Sequence, residues 1–293
     1  IHAFDDSLLN HPRVVKTQSG TPFRVFTPFW RAASSLGEPP APGPVPDSLE
    51  FFPNLPASES LDDLGLLPRQ PDWAQGLRDT WQPGEPGALK RLDELEAIVG
   101  DYAEHRDRPD LDATSRLSAH LHFGEVSVRQ VWHAVRGFEA RLRASRGAES
   151  LLRQLYWRDF STYLLYHMPK LPAEPLREEF NAFPWSDDQD LLRGWQRGRT
   201  GYPIVDAGMR QLWTTGWMHN RVRMIVASLL TKNLLIPWQE GARWFWDTLV
   251  DADLGGANLH TCLGLPSPAR TLADFIQRRL DTIEEALTET VAP

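Results

Sequence analysis

Proline divides this chain in two. Of its 24 prolines, 14 fall within residues 1–87, including the run PPAPGPVP at 39–46. Proline has no backbone N–H and a fixed φ, so so dense a stretch cannot sustain a central strand or a regular helix. Residues 1–87 therefore read as an extended connector lying over a surface. From Gly87 the pattern changes. GALKRLDELEAIVGDYAEH sets Leu89, Leu92, Leu95 and Ile98 at helical spacing, and helical periodicity continues to Leu249 with no sign of repeated strands. An all-α, multi-helical domain is predicted over residues 88–254, followed by a tail of different character at 255–293. The sequence opens at Ile1 with neither a start methionine nor a signal peptide, as if inside a longer protein.

Length and composition narrow the class. With 293 residues, 41% hydrophobic and 24% charged, the chain is long enough to bury a full core. No apolar run approaches the roughly 18 residues that announce a membrane span, so none is expected. Cys262 is the only cysteine. That excludes an intrachain disulfide and a cysteine-based metal cluster, so no metal site is expected and the setting is expected to be reducing and cytoplasmic. The net charge of -8 argues against a protein that coats nucleic acid by bulk charge. A local basic groove is a separate question. Residues 101–254 hold 20 Lys and Arg against 20 Asp and Glu, and Lys170 and Lys232 are the only lysines among those cations. Arginine suits bidentate phosphate contacts, so a phosphate-bearing partner is permitted there. All 12 tryptophans lie between Trp30 and Trp246.

Two segments combine a core face with a polar one. Over 148–168, Leu152, Tyr156, Phe160 and Tyr163 share an apolar face while Gln154, Trp157, Arg158 and Ser161 fall opposite. In HNRVRMIVASLLTKNLL at 219–235, Asn220, Arg223 and Met224 share a face by their i, i+3, i+4 spacing. Taken alone, each of these polar positions has an ordinary reading beside a chemical one. Thr114, Ser115 and Ser118 around Arg116 supply donors for a pyrophosphate, or Thr114 or Ser115 merely caps the next helix. Asp251 and Asp253 are a turn or a weak DxD metal pair. Arg106 and Arg221 are solvated surface charges or phosphate contacts, and Trp157 is core packing or a stacking platform.

Longer stretches carry a specific resemblance. TSRLSAHLHFGEVS at 114–127, LLRQLYWRDF at 151–160, WQRGRTGYPIVDAGMRQLWTTGWMHNRVRMIVASLLTKNLLIPW at 195–238 and LVDADL at 249–254 follow FRVFTPFWRA at 23–32. Their order and spacing resemble the cryptochrome and DNA photolyase family. The resemblance implies that family's FAD-binding helical domain behind its interdomain connector, with the N-terminal α/β domain that commonly binds a light-harvesting pigment largely absent. MHNRVRM at 218–224 looks most like the bacterial class I enzymes that split cyclobutane pyrimidine dimers.

The resemblance also implies a cofactor, a partner and roles. FAD would be held by Tyr102, Thr114, Ser115, Arg116, Leu117 and Ser118, and by Arg158, Trp217, Asn220, Arg223, Asp251, Ala252 and Asp253, with Arg223 paired to Asp251. Ultraviolet-damaged DNA would lie on Arg106, Arg158, Asn220 and Arg221. The flipped dimer would stack on Trp157 near Gln154 and Met224. Trp185 and Trp238 match the outer and middle members of a three-tryptophan relay that reduces the flavin. The implied reaction is light-driven transfer of one electron from reduced FAD to the dimer, in a monomeric protein.

The sequence departs from the family in two further places. Gln154 stands where dimer-splitting enzymes commonly have a glutamate; Gln keeps a carbonyl acceptor, adds NH2 donors and loses the charge. After Leu254 the family's asparagine, two tryptophans and PYFRxFNP run give way to GGANLHTCLGLPSPARTLADFIQRRLDTIEEALTETVAP. Asn258 lies one residue beyond Ala257, where the asparagine would align, and FIQRRLDTIEEAL suits a short amphipathic helix. So abrupt a switch points to a frameshifted gene end. Two readings therefore stand beside a photolyase: a cryptochrome-like blue-light signalling flavoprotein, and an inert fragment.

Overall fold

The computed structural model describes residues 7–50, 57–68, 70–175 and 178–254. The readings made for the tail, including Ala257, Asn258 and FIQRRLDTIEEAL, lie outside the described residues. All regular structure among the described residues is helical, as the periodicity predicts. In chain order the helices are α1 (Phe26–Ser34), α2 (Gln75–Thr80), α3 (Glu85–Ile98), α4 (Tyr102–His105), α5 (Ser118–His122), α6 (Val128–Leu142) and α7 (Ser145–His167). There follow α8 (Gln189–Gln196), α9 (Pro203–Thr215), α10 (Asn220–Ser228) and α11 (Trp238–Thr248), with a π turn at Leu229–Asn233 prolonging α10. No helix among the described residues is long and apolar enough to cross a membrane.

The proline-rich part is less extended than its composition predicts. Residues 39–46 form neither helix nor strand, but α1 is helical with Pro28 inside it. Pro28 falls in the first turn, where a backbone N–H has no intrahelical acceptor to lose. Phe26, Phe29 and Ala33 of α1 are buried against α7, and that burial overrides the local proline content. The connector is also fastened to α7 by polar bonds. Leu9 and Asn10 donate their N–H groups to the Asp159 carboxylate at 3.1 and 2.9 Å, and Phe23 N–H donates to the Tyr163 hydroxyl at 3.0 Å.

α7 is the axis of a first apolar cluster, with α1, α4 and α6 packed on it. Leu152, Tyr156, Phe160 and Tyr163 are buried as their spacing predicts, while Gln154, Trp157 and Arg158 are half-buried on the opposite side with Ser161, which is buried and lines the same cavity as they do. In α3 the predicted stripe is partial: Leu92 and Leu95 are buried and Leu89 is exposed. The first turn of α7 lies so close to the end of α3 that a Cβ on Gly147 would come within 1.7 Å of the Val99 carbonyl oxygen. α6 is started by a capping box in which Ser127 Oγ accepts from Gln130 N–H and Gln130 reaches back to Ser127 N–H.

A second cluster unites α8 to α11 around Trp195, Met209, Leu212, Met218, Leu230 and Phe245. Fully burying side chains of this size contributes about 1.5–3 kcal/mol each. Trp195 also satisfies its indole N–H on the Val226 carbonyl at 3.0 Å. Gly216 ends α9 with φ of 67°, a conformation that favours glycine, and its carbonyl accepts Val250 N–H at 3.0 Å. That bond ties the segment carrying Asp251 to the segment carrying Trp217. α10 is capped by His219, whose Nδ1 accepts Arg221 N–H at 3.1 Å and so must be unprotonated. Burial pushes the His219 imidazole below its ordinary value, in the same sense.

Candidate functional site

The two apolar clusters face each other across a cavity of about 230 Å3. One wall consists of Tyr102 and Arg106, the loop residues Thr114, Ser115 and Arg116, Ser118 at the start of α5, and Gln154, Trp157 and Arg158 on α7; the other is Trp217, Asn220, Arg223, Asp251 and Asp253. A recess of about 630 Å3 continues past Leu121, His122, Arg158 and Asp253, which line both spaces. Residues separated by more than 100 positions in sequence are thus gathered at one seam.

The loop ahead of α5 is held from beneath by Arg91 on α3. Its guanidinium donates to the Ser115 carbonyl at 2.9 Å and the Thr114 carbonyl at 2.8 Å, and pairs with Glu94 at 2.8 Å. Arg116 adopts φ of 50°, a left-handed conformation costing a non-glycine residue about 1–2 kcal/mol. Its guanidinium lies 4.6 Å from the Trp217 ring and 3.0 Å from Asp112, so it reaches across from one wall to the other. The helix-cap reading of Thr114 and Ser115 is not what the structure shows. α5 has no side-chain cap, and Thr114 Oγ1 is buried without a hydrogen-bond partner. Leu117 starts α5 with its side chain in the first core.

On α7, Trp157 stacks on Phe26 with ring centroids 3.6 Å apart and planes 6° from parallel. Gln154 donates through Nε2 to the Ser150 carbonyl at 2.9 Å, which commits one of its donors to the helix backbone. Arg158 lines the cavity with its side chain, and its guanidinium donates to the carbonyls of Ser7 and Leu121.

The second wall contains a buried ion pair. Arg223 Nη2 stands 3.1 Å from Asp251 Oδ2, with side chains 6% and 2% exposed, and Arg223 Nε donates to the Met218 carbonyl at 2.8 Å. The predicted pairing is therefore formed. Asp251 Oδ1 is buried without a partner. Burial raises the Tyr102 phenol above its usual range, so that hydroxyl is neutral. Ala252 packs against the second cluster. Among the described residues, no three His, Cys, Asp or Glu side chains are grouped to hold a metal.

Several predicted residues are not brought to this cavity. Met224 lines a separate groove with Tyr202, Ile204 and Ile225, because the turn of α10 directs it away from Arg223. Arg221 is engaged by Asp107, to which it donates from Nε at 2.8 Å and Nη2 at 2.6 Å, and Arg106 Nε donates to the same carboxylate at 3.2 Å. Trp185 and Trp238 lie outside the cavity walls; Trp185 packs on Phe183 at 4.4 Å, and Ser186 N–H donates to the Leu235 carbonyl at 2.8 Å, which lays their two segments side by side. Sequence reasoning missed Arg91, Asp107 and His122, whose Nδ1 is 3.9 Å from Asp253 Oδ2. Only His122 had a signal, since it lies inside the TSRLSAHLHFGEVS stretch.

Comparison with known proteins agrees with this geometry. Residues 151–263 match the FAD binding domain of DNA photolyase, and residues 1–47 match the DNA photolyase family. The chain is 49% identical over 254 residues to a deoxyribodipyrimidine photo-lyase of Agrobacterium fabrum, covering 86% of this chain and 53% of the relative. It is 39% identical over 267 residues to Cryptochrome-2 of Arabidopsis thaliana, covering 87% and 43%. A crystal structure of a bacterial class III photolyase from Agrobacterium tumefaciens superposes with a TM-score of 0.84 at 49% identity, covering 88% of this chain and 53% of that one. The chain thus spans about half the length of the curated relatives it matches. With only helices among the described residues, a cavity built from the loop before α5, α7 and the Asp251 segment, and these likenesses, the chain belongs to the photolyase and cryptochrome family and carries its FAD-binding domain.

Proposed function

We propose that this chain is the FAD- and lesion-binding part of a deoxyribodipyrimidine photo-lyase, acting on a cyclobutane pyrimidine dimer flipped out of ultraviolet-damaged DNA. One observation carries the reading. Asp251 and Thr114 stand on opposite walls of the same cavity, and each keeps a buried oxygen without a hydrogen-bond partner. Unsatisfied buried polar atoms cost about 1–3 kcal/mol each and call for a polar occupant. A dinucleotide answers both, with hydroxyl and N–H donors toward Asp251 and phosphate or ribose oxygens toward the Thr114 hydroxyl.

In this reading Tyr102, Thr114, Ser115, Arg116, Leu117 and Ser118 hold the phosphate and ribose side, Leu117 through its backbone. Arg223, Asp251, Ala252 and Asp253 line the ring side, with Trp217, Asn220 and Arg158 between. The flavin supplies light absorption and one-electron chemistry. The chain supplies position: Trp157, backed by Phe26, offers an aromatic surface to the extruded pyrimidine dimer, and Gln154 presents an amide to a pyrimidine edge. Asn220, Arg106 and Arg221 stand at the rim for the strand. Trp185 and Trp238 serve as outer and middle members of the reducing relay. The protein works as a monomer in the cytoplasm. Its 49% identity to a class III photolyase supports class III over the class I that MHNRVRM suggested.

A blue-light signalling role is the second reading, favoured by Gln154, which puts no carboxylate where dimer-splitting relatives commonly have one. The two are separated by purifying the chain in dim light, measuring released flavin against protein, reducing the flavin chemically and illuminating a dimer-bearing oligonucleotide. Repair that disappears in Trp157→Ala supports the photolyase. A chain that holds flavin, discriminates no lesion and restores no dimer supports the receptor.

A further inference from the structure

The two arginines placed at the rim for DNA share one carboxylate, that of Asp107. Arg221 uses Nε and Nη2 on the two oxygens of Asp107, at 2.8 and 2.6 Å, and its Nη1 lies 3.6 Å from Met224 Sδ. Arg106 Nε donates to the same carboxylate at 3.2 Å and its guanidinium lies 5.9 Å from the Tyr102 ring. One carboxylate thus neutralises half the positive charge of the pair and occupies the bidentate edge that a phosphate would use. The partners are accessible: the side chains of Asp107, Arg221 and Arg106 are 46%, 40% and 20% exposed. An ion pair so exposed is worth little, so an incoming phosphate can displace it. Asn220, next to Arg221, and Arg106 both line the cavity.

We propose that Asp107 is a specificity-determining residue: it holds Arg106 and Arg221 in a pre-aligned but neutralised state, which lowers affinity for undamaged DNA. A strand that also places bases in the cavity gains enough contact to exchange the carboxylate for a phosphate. A strand without a flipped lesion does not. This rests on the DNA-repair reading above and adds to it a residue that opposes binding.

The test uses the full 293-residue chain with Asp107→Asn, which keeps shape and removes charge, and Asp107→Glu, which keeps charge. Binding is measured over a salt series to a plain oligonucleotide and to one carrying a single thymine dimer. Asp107→Asn is expected to bind the plain oligonucleotide about fivefold or more tightly, with a salt slope steeper by about one. The dimer-bearing strand gains less, so discrimination falls, and Asp107→Glu stays near wild type. Thermal midpoints of all three proteins report whether the variants are folded. A discriminating wild type with an unchanged slope in folded Asp107→Asn overturns the role of Asp107 alone. A wild type that binds both oligonucleotides equally overturns the repair reading and this inference with it.

Discussion

Trp157 lies face to face on Phe26, centroids 3.6 Å apart, and Arg153 stands 5.5 Å from the Phe26 ring and 4.4 Å from Trp30. One face of the indole is therefore taken by the connector. If Trp157 is the stacking platform of the proposed photolyase, Trp157→Ala should cost about 1–3 kcal/mol of lesion binding, the usual worth of one base on one aromatic ring. Affinity for a dimer-bearing oligonucleotide is expected to fall about 10- to 100-fold while flavin content stays unchanged. Phe26→Leu should give a smaller loss of the same kind. Equal loss of flavin in Trp157→Ala would assign the residue to the cofactor.

The Arg223–Asp251 pair stands in the interior, where leaving one partner alone costs about 3–5 kcal/mol. Asp251→Ala should therefore lower the denaturant midpoint of the flavin-free protein far more than Asp253→Ala, whose carboxylate is about a third exposed. If both variants unfold at the same denaturant concentration, the pair is not holding the second wall in place.

Two buried groups give opposite pH signatures. His219 has a folded pKa below 6.5, so in acid the unfolded chain takes a proton that the folded cap cannot accept. Its contribution is present above pH 6.5 and is lost as pH falls below it. Asp159, fully enclosed, is pushed up to about 7 by burial despite the N–H bonds from Leu9 and Asn10. Between pH 3.8 and about 7 the unfolded carboxyl sheds its proton while the folded one keeps it, so this group's contribution declines as pH rises through that range. Urea midpoints measured from pH 4 to 8 should show the acid-side loss flattened in His219→Asn, whose amide oxygen can still accept the cap bond, and the second decline absent in Asp159→Asn.

What the sequence disclosed and what it hid follow from range. The core face of α7 was readable because Leu152, Tyr156, Phe160 and Tyr163 obey a local 3.6-residue period. The cavity residues were readable only because long stretches stand in family order; no local rule joins Thr114 to Asp251. α1 was hidden by the proline content around it, since its helix depends on burial against α7, more than 100 residues away. Asp107 was hidden as one acidic residue among many, because Arg221, which engages both its oxygens, is 114 positions distant. Met224 shares a helical face with Asn220 on paper, and in the fold it lines a different groove.

Arg91 offers the sharpest test of how the loop ahead of α5 is positioned, because its side chain reaches that loop without appearing in the cavity wall. Its fork spans two successive carbonyls, those of Thr114 and Ser115, at 2.8 and 2.9 Å. A lysine carries the same charge but a single ammonium point, so Arg91→Lys keeps at most one of the two bonds with good geometry. Losing one hydrogen bond to a charged group costs about 1.5–3 kcal/mol. The loss falls on a loop whose next residue, Arg116, already holds a left-handed φ of 50° and needs its neighbours fixed. Titration of flavin-free protein with FAD, followed by quenching of flavin fluorescence, should show affinity reduced about tenfold or more in Arg91→Lys. Glu94→Gln, which alters only the exposed partner of Arg91, should bind as wild type. Equal affinities in all three proteins would mean that the loop holds its shape without Arg91.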